Sequence, residues 1–301
     1  DADAVDFSVP RGVGMRQAAS LIERAGVVVD AGLLSLLARI GGRAHRIKAG
    51  SYEVHAGITP WQLILKLSDG DVTQGELLLV EGWTFRQVRQ ALESHPDLEA
   101  DIAGLSDTEI LSRIGARETH PEGLFFPDTY LFDKRSGALA VLKRAHGAMQ
   151  ARLERAWAAR DPASPLASPY EALILASIIE KETGRPEDRG LVASVFSNRL
   201  RIGMRLQTDP AVIYGLGPEF DGRLRRVHLE TDHPWNTYTR AGLPPTPIAM
   251  PGEAALRAAV QPDKSDFLYF VSRGDGSSEF SRSLAEHNRA VNKFIRNGGG
   301  G

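Results

Sequence analysis

The sequence predicts an α+β fold, a small N-terminal module followed by a larger mixed domain, on three observations. Residues 5–74 hold two stretches in which alternating residues give way to a 3.6-residue period. A capped helix, apolar on nearly every side, begins at Ser168. Near the end, the continuous apolar run Phe267-Leu268-Tyr269-Phe270-Val271 reads as a strand in a buried, central position.

In chain order, Phe7-Ser8-Val9-Pro10 reads as a strand and leads into a helical pattern through Ala18, Leu21, Ile22 and Ala25. Gly50-Ser51-Tyr52-Glu53-Val54 is a second strand, followed by a helix through Leu63, Ile64 and Leu67. Thr59 before Pro60 gives that helix an N-cap with proline at the first helical position, and Gly70 ends it. A third strand is expected at Glu76–Val80, then a helix capped by Thr84. The larger domain spans 75–296, with 93–120 as a small helical insertion broken by Pro96 and Gly104. Met204–Pro210 reads as a short strand that delivers its polar residues to a turn, Gly274-Asp275-Gly276 as a turn, and a last helix starts near Ser283. Residues 297–301, an asparagine and four glycines, read as a flexible tail.

Composition narrows the function classes. A formal net charge of −2 over 301 residues gives nucleic acid no strongly basic surface to bind. Cysteine is absent, which removes disulfides, thiolate zinc sites and cysteine nucleophiles. No apolar run reaches the roughly 18 residues a membrane-spanning helix needs. Asp1 in the place of an initiator methionine suggests that a signal peptide, an anchor or another segment preceded it. No glycine-rich phosphate loop follows a strand, so no nucleotide cofactor is indicated. His228 and His233 lie near Glu230 and Asp232 on an irregular polar stretch, better read as solvated loop histidines than as metal ligands.

The chemistry concentrates after residue 168. Ser168-Pro169-Tyr170-Glu171 is a capping box with proline at N1. The helix it starts ends Glu180-Lys181-Glu182-Thr183-Gly184, two carboxylates at the unfavourable end of the helix dipole. Glu180 shares a face with Leu173 and Ala176, so burial should keep it protonated near neutrality, as a general acid requires. The plain alternative is an ion pair with an arginine; for Glu182 the partners would be Arg185 or Arg189. Asp209, before Pro210, is either a helix cap or a site group. Gln207 has no such local duty and suits a hydrogen bond to a ligand. Trp235–Thr239 and the proline-rich Gly242–Ile248 can hold an amide and aromatics against a sugar, or simply form a turn.

Several of these segments resemble one family. Glu122-Gly123-Leu124-Phe125-Phe126-Pro127-Asp128-Thr129-Tyr130 resembles the "EG..FPDTY" signature of the YceG-like endolytic murein transglycosylases. Ala176–Thr183, Val195–Leu200, Arg201–Gly215, Asn236-Thr237-Tyr238 and Gly242-Leu243-Pro244-Pro245 are similar to its other motifs, in the same order. Trp235 departs from the pattern, where a tyrosine is expected. The N-terminal stretch looks like the family's LysM-like region. The resemblance implies that Glu180 is the essential catalytic glutamate and that 75–296 is the catalytic domain. It also implies a substrate of nascent peptidoglycan glycan strands and a site of action at the periplasmic face of the inner membrane. A single-pass N-terminal anchor, absent from this chain, would hold the protein there.

The implied reaction cleaves the MurNAc–GlcNAc β-1,4 bond and leaves 1,6-anhydro-MurNAc ends, with Glu180 as acid and then base and no cofactor. Gln207, Asp209, Asn236, Tyr238 and Glu182 are the candidate substrate contacts, with Tyr238 stacking on a sugar. Two alternatives stay open: a hydrolytic muramidase using Asp209 as second carboxylate, and a non-catalytic peptidoglycan-binding scaffold for cell-wall synthases.

Overall fold

The computed structural model describes residues 4–182 and 184–296. The chain divides into two compact units. The first gathers the chain up to Leu78 with Ala91–Gly104 and Thr129–Val141; the second holds Leu79–Gln90, Leu105–Asp128 and the chain from Leu142 on. A break after residue 74 would therefore fall inside a strand, β3 (Gln74–Leu78), and the segment 93–120 is shared between the units. The reason is long-range pairing. The two-residue strands β4 (Leu98–Glu99) and β6 (Ser136–Gly137) pair in parallel, and β3 runs antiparallel to β5 (Thr129–Asp133), with Gln74 opposite Asp133 and Leu78 opposite Thr129. That pairing, which no local pattern announces, brings a distant segment into the first unit. The expected tail, 297–301, lies outside the described residues, as does Thr183.

The first unit is built on an antiparallel ribbon of β1 (Ala4–Val9) and β2 (Gly50–His55), with Phe7 opposite Tyr52. Their rings stack with centroids 5.6 Å apart. Two helices separate the strands, α1 (Met15–Arg24) and α2 (Ala31–Ile40), and α3 (Pro60–Asp69) follows. The sequence pattern does not predict α2, although Asp30 caps it by accepting the Leu33 amide at 2.8 Å. α3 has the predicted Thr59 cap, which Gln62 completes into a capping box, and ends at Gly70, whose φ of 74° needs glycine. Ala18, Ile22, Leu34, Ala38, Leu63 and Leu67 close the core against the ribbon. Burial pushes the Tyr52 phenol up to about 12, and its hydroxyl donates to the Lys48 carbonyl at 2.7 Å.

The second unit is organised around α7 (Pro169–Glu182), in which every residue from Ala172 to Ile179 is buried. It follows α4 (Phe85–Glu93), α5 (Asp107–Ile114) and α6 (Ala138–Ala158) in the chain and packs against α8 (Pro186–Arg201), α9 (Asp209–Leu216) and, after the short α10 (Arg226–Glu230), α11 (Glu253–Val260). Its start differs slightly from a standard capping box. Ser168 accepts the Glu171 amide, but the Glu171 carboxylate reaches back to the Ala167 amide at 2.7 Å rather than to Ser168. Ser177 is polar in the middle of this apolar helix and is fully satisfied. It donates to the Ile174 carbonyl at 2.7 Å and accepts the Ile248 amide at 3.0 Å, which ties the proline-rich loop to α7.

Two expectations are corrected here. The run at 267–271 is no central strand: β7 (Tyr269–Ser272) pairs with β8 (Ser278–Ser281) in a two-stranded sheet and is only partly buried. Its apolar side chains serve local ring packing instead, Phe270 lying 5.8 Å from Phe196 and 6.1 Å from Phe280. Met204–Thr208 is irregular, because Gln207 takes φ 52°, a left-handed conformation that ends any extended run. The turn at 274–276 and the Ser283 cap of α12 (Leu284–Val291) are as expected.

Candidate active site

The last turn of α7 carries Glu180 and Glu182 two positions apart. At about 100° per residue their side chains leave the helix on nearly opposite sides. They therefore meet different surroundings.

Glu182 faces the loops before and after α9. Its carboxylate accepts the Thr208 hydroxyl at 2.5 Å. Thr208 is itself pinned: its amide donates to Thr237 Oγ1 at 2.9 Å, and the Gln207 amide donates to the Thr237 carbonyl at 3.1 Å. These bonds bring segments 204–209 and 236–238 together over Glu182. They border a cleft of about 420 Å³, lined by Glu182, Arg199, Gln207, Asp209, Tyr238, Tyr269 and His287, among others. Burial pushes the Glu182 carboxyl up to about 7; the Asp209 charge adds to this, while the Thr208 bond and Arg199 oppose it.

The neighbours are equally constrained. Asp209 is the first residue of α9, not its cap, and it accepts the Tyr238 hydroxyl at 2.5 Å. Its carboxylate lies in the first turn of that helix. Burial, with the Asp209 bond next, holds the Tyr238 phenol well above the ordinary tyrosine range. Tyr238 is therefore oriented as a hydrogen-bonded group as much as a stacking surface. Gln207 is exposed at the rim, its backbone held in the left-handed region. For a residue with a Cβ that conformation costs about 1 to 2 kcal/mol.

Sequence reasoning places Arg199 only within an amphipathic helix. It is buried, donating Nε to the Leu268 carbonyl at 2.7 Å and Nη1 to the Leu206 carbonyl at 2.6 Å. Its guanidinium also lies 5.3 Å from the Tyr269 ring centre. The signal is there in the spacing: Arg199 follows Val192 and Val195 by seven and four, on the buried face of α8. His287, which no motif singles out, stacks on Tyr269 at 5.2 Å.

Glu180 has another setting. Its carboxylate accepts the Gly252 amide at 2.9 Å, and the adjacent Lys181 donates to the Gly82 carbonyl at 3.3 Å. Gly82 and Trp83 are in turn bonded to Met250 at 2.8 and 2.7 Å. Burial raises the Glu180 carboxyl as well, with the Gly252 bond opposing and the Glu81 charge adding. Glu81 crowds the other side of Gly252, so closely that a side chain there would collide with it. Glu180 and Lys181 thus join two loops to the end of α7, and Gln207, Asp209 and Tyr238 border the cleft beside Glu182 instead.

Asn236 is corrected outright. It is 0% exposed, its amide nitrogen donates to the carbonyls of His228, Leu229 and Thr231, and its oxygen accepts the amides of Tyr238 and Thr239. No hydrogen-bonding capacity is left for a sugar. Asn236→Ala should therefore cost about 2 to 4 kcal/mol of stability through the orphaned carbonyls. Thermal unfolding checks this; an unchanged melting temperature with weakened substrate binding would return Asn236 to the substrate.

A second cleft, about 650 Å³, is lined by Phe85, His120, Glu122, Tyr214 and Trp235, among others. Glu122 is buried at 3% exposure and accepts the Phe85 amide at 2.9 Å. Burial pushes its carboxyl up to about 7, against the bonds from Phe85 and Tyr214. Trp235 meets the Tyr214 ring edge-on at 5.7 Å and donates to Thr246 at 3.0 Å, so the proline-rich loop braces an aromatic wall. Among the described residues no group of three or more metal-ligating side chains comes together. His228 and His233 each accept a nearby backbone amide.

The family model for the YceG-like family matches residues 7–293. The chain belongs to the YceG-like family. Its YceG-like relatives include the endolytic murein transglycosylase of Bacillus subtilis, 31% identical over 97% of this chain and 85% of that protein. The endolytic murein transglycosylase of Streptococcus pneumoniae is 26% identical, and the match covers 58% of its length. Among solved structures, a yceG-like protein from Listeria monocytogenes shares 30% identity and a TM-score of 0.61, over 95% of this chain and 99% of that one.

Proposed function

We propose that this YceG-like chain is an endolytic lytic transglycosylase that cuts peptidoglycan glycan strands, with Glu182 as its acid and base. The observation that carries this reading is the Glu182 carboxyl. Held near a pKa of about 7 in a cleft with Gln207, Asp209 and Tyr238, it can both give and take a proton at neutral pH. The names of the relatives supply the substrate.

In the proposed reaction Glu182 protonates the glycosidic oxygen as the MurNAc C1–O bond breaks. The MurNAc 6-hydroxyl then closes on C1, and its proton returns to the Glu182 carboxylate. The products are a free GlcNAc 4-hydroxyl and a 1,6-anhydro ring, with no water consumed and the acid regenerated. Hydrolytic glycosidases need a second carboxylate to activate water or attack the sugar. Here the nucleophile is already tethered, so effective molarity replaces that group. The Thr208 hydroxyl favours the carboxylate that forms mid-reaction, and Asp209, on the same cleft, would offset the positive charge of the oxocarbenium-like transition state. Site of action follows substrate, outside the cytoplasmic membrane.

Gln207 is assigned to the acetamido or hydroxyl groups of the substrate, from its exposed place at the rim. Gln207→Ala should raise KM several-fold with kcat near native; steady-state kinetics on solubilised glycan strands tests this, and an unchanged KM would remove the assignment.

A second reading keeps Glu180 as the acid, the role the motif implies. Its own raised carboxyl favours that reading. Against it stands the company each carboxylate keeps. Parallel activity measurements on Glu180→Gln and Glu182→Gln separate the two.

A further inference from the structure

The first unit turns the wrong face of a helix outwards. In α2 the side chains at Leu33, Leu36, Leu37 and Ile40 follow the i, i+3, i+4, i+7 spacing of a helix stripe that normally packs inwards. The buried positions are instead Leu34, Ser35 and Ala38, and of the stripe Leu37 packs against the same core. Leu33 is 68% exposed, Leu36 53% and Ile40 76%, and Val28 in the preceding loop is fully exposed. Together with Pro60 these residues line an apolar groove of about 390 Å³. The half-exposed Trp61 indole lies against Gly41, at the end of the stripe.

The charges that flank this face in the sequence are mostly cations. Between residues 23 and 48 five arginines and lysines stand against two acids, Glu23 and Asp30; Asp30 is occupied in capping α2, and Arg43 pairs with Asp69 at 3.1 Å. Arg24, Arg39 and Arg46 are exposed. A second copy docking face to face would bring these cations against their own kind. A glycan would find an aliphatic surface without the hydrogen-bonding groups that sugars require. An aliphatic crest with an adjoining indole and a cationic rim suits an anionic lipid surface, where apolar burial and attraction to headgroups act together.

We propose that the outward face of α2 docks on the surface of an anionic bilayer. Leu33, Leu36 and Ile40 enter the headgroup boundary, Trp61 lies at its level, and Arg39 and Arg46 meet lipid phosphates. This is independent of which glutamate does the chemistry.

The test is flotation of the whole chain with vesicles of phosphatidylglycerol and phosphatidylcholine in equal parts, and with vesicles of phosphatidylcholine alone. Binding is expected to the mixed vesicles only, weakening as salt rises. Leu33→Ser/Leu36→Ser/Ile40→Ser should abolish it, and Arg39→Gln/Arg46→Gln should weaken it by at least about tenfold. These residues are exposed, so unchanged melting curves will show that both variants fold. Absence of binding to the mixed vesicles would overturn the proposal, as would equal binding to both kinds or full binding by the triple variant. So would sedimentation showing a dimer that the leucine changes dissolve, which would assign the face to a second copy.

Discussion

Glu182→Gln should lower the release of soluble fragments from peptidoglycan by roughly 10³-fold, whereas Glu180→Gln should stay within about tenfold of the native rate. The asymmetry follows from the two environments. A glutamine at 182 can still accept the Thr208 hydroxyl, so the cleft keeps its shape while the transferable proton is lost. A glutamine at 180 can still accept the Gly252 amide, so that loop remains joined to α7. The native pH profile carries the same signature. Only the protonated Glu182 can start the reaction, so activity should fall by about tenfold per pH unit as pH rises above about 7. A dead Glu180→Gln beside an active Glu182→Gln would reverse the assignment.

Glu122→Gln should stabilise the protein at pH 8 by on the order of 3 kcal/mol and leave it little changed at pH 5. Glu122 has its carboxyl at about 7 in the folded protein, against an ordinary 4.5. Between those values the folded chain holds a proton that the unfolded chain has released, so stability falls as pH rises through this window. A pKa difference of one is worth about 1.4 kcal/mol, and Glu122 is too buried for solvent to screen much of it. Glutamine stays neutral and keeps an acceptor for the Phe85 amide. Chemical denaturation at the two pH values checks this; parallel stability curves for the two proteins would contradict it. Glu182→Gln should move in the same direction, since burial raises that carboxyl too.

Much of the fold could be read from local chemistry. The Thr59 cap, Gly70, the buried α7 and the 274–276 turn each depend on neighbouring residues, and each is in place. What depended on distant contacts was not readable. α2 escapes because both its faces are apolar, which blurs the period that marks a helix. The run at 267–271 looks central because periodicity cannot distinguish sheet burial from packing among aromatic rings. The family motifs locate the site residues but not their partners. Asn236 looks like a ligand because an amide beside aromatics suits a sugar, yet five backbone groups use it up. Glu180 and Glu182 differ by two positions in sequence. Only the bonds of Thr208 and Gly252 distinguish them.

The most direct measurement is mass spectrometry of the products that the native protein and Glu182→Gln release from purified peptidoglycan. Internal fragments ending in 1,6-anhydro-N-acetylmuramic acid, made by the native protein and missing with the variant, are the expected result. Reducing ends from the native protein, or anhydro ends persisting with Glu182→Gln, would contradict a single glutamate at 182 working without water.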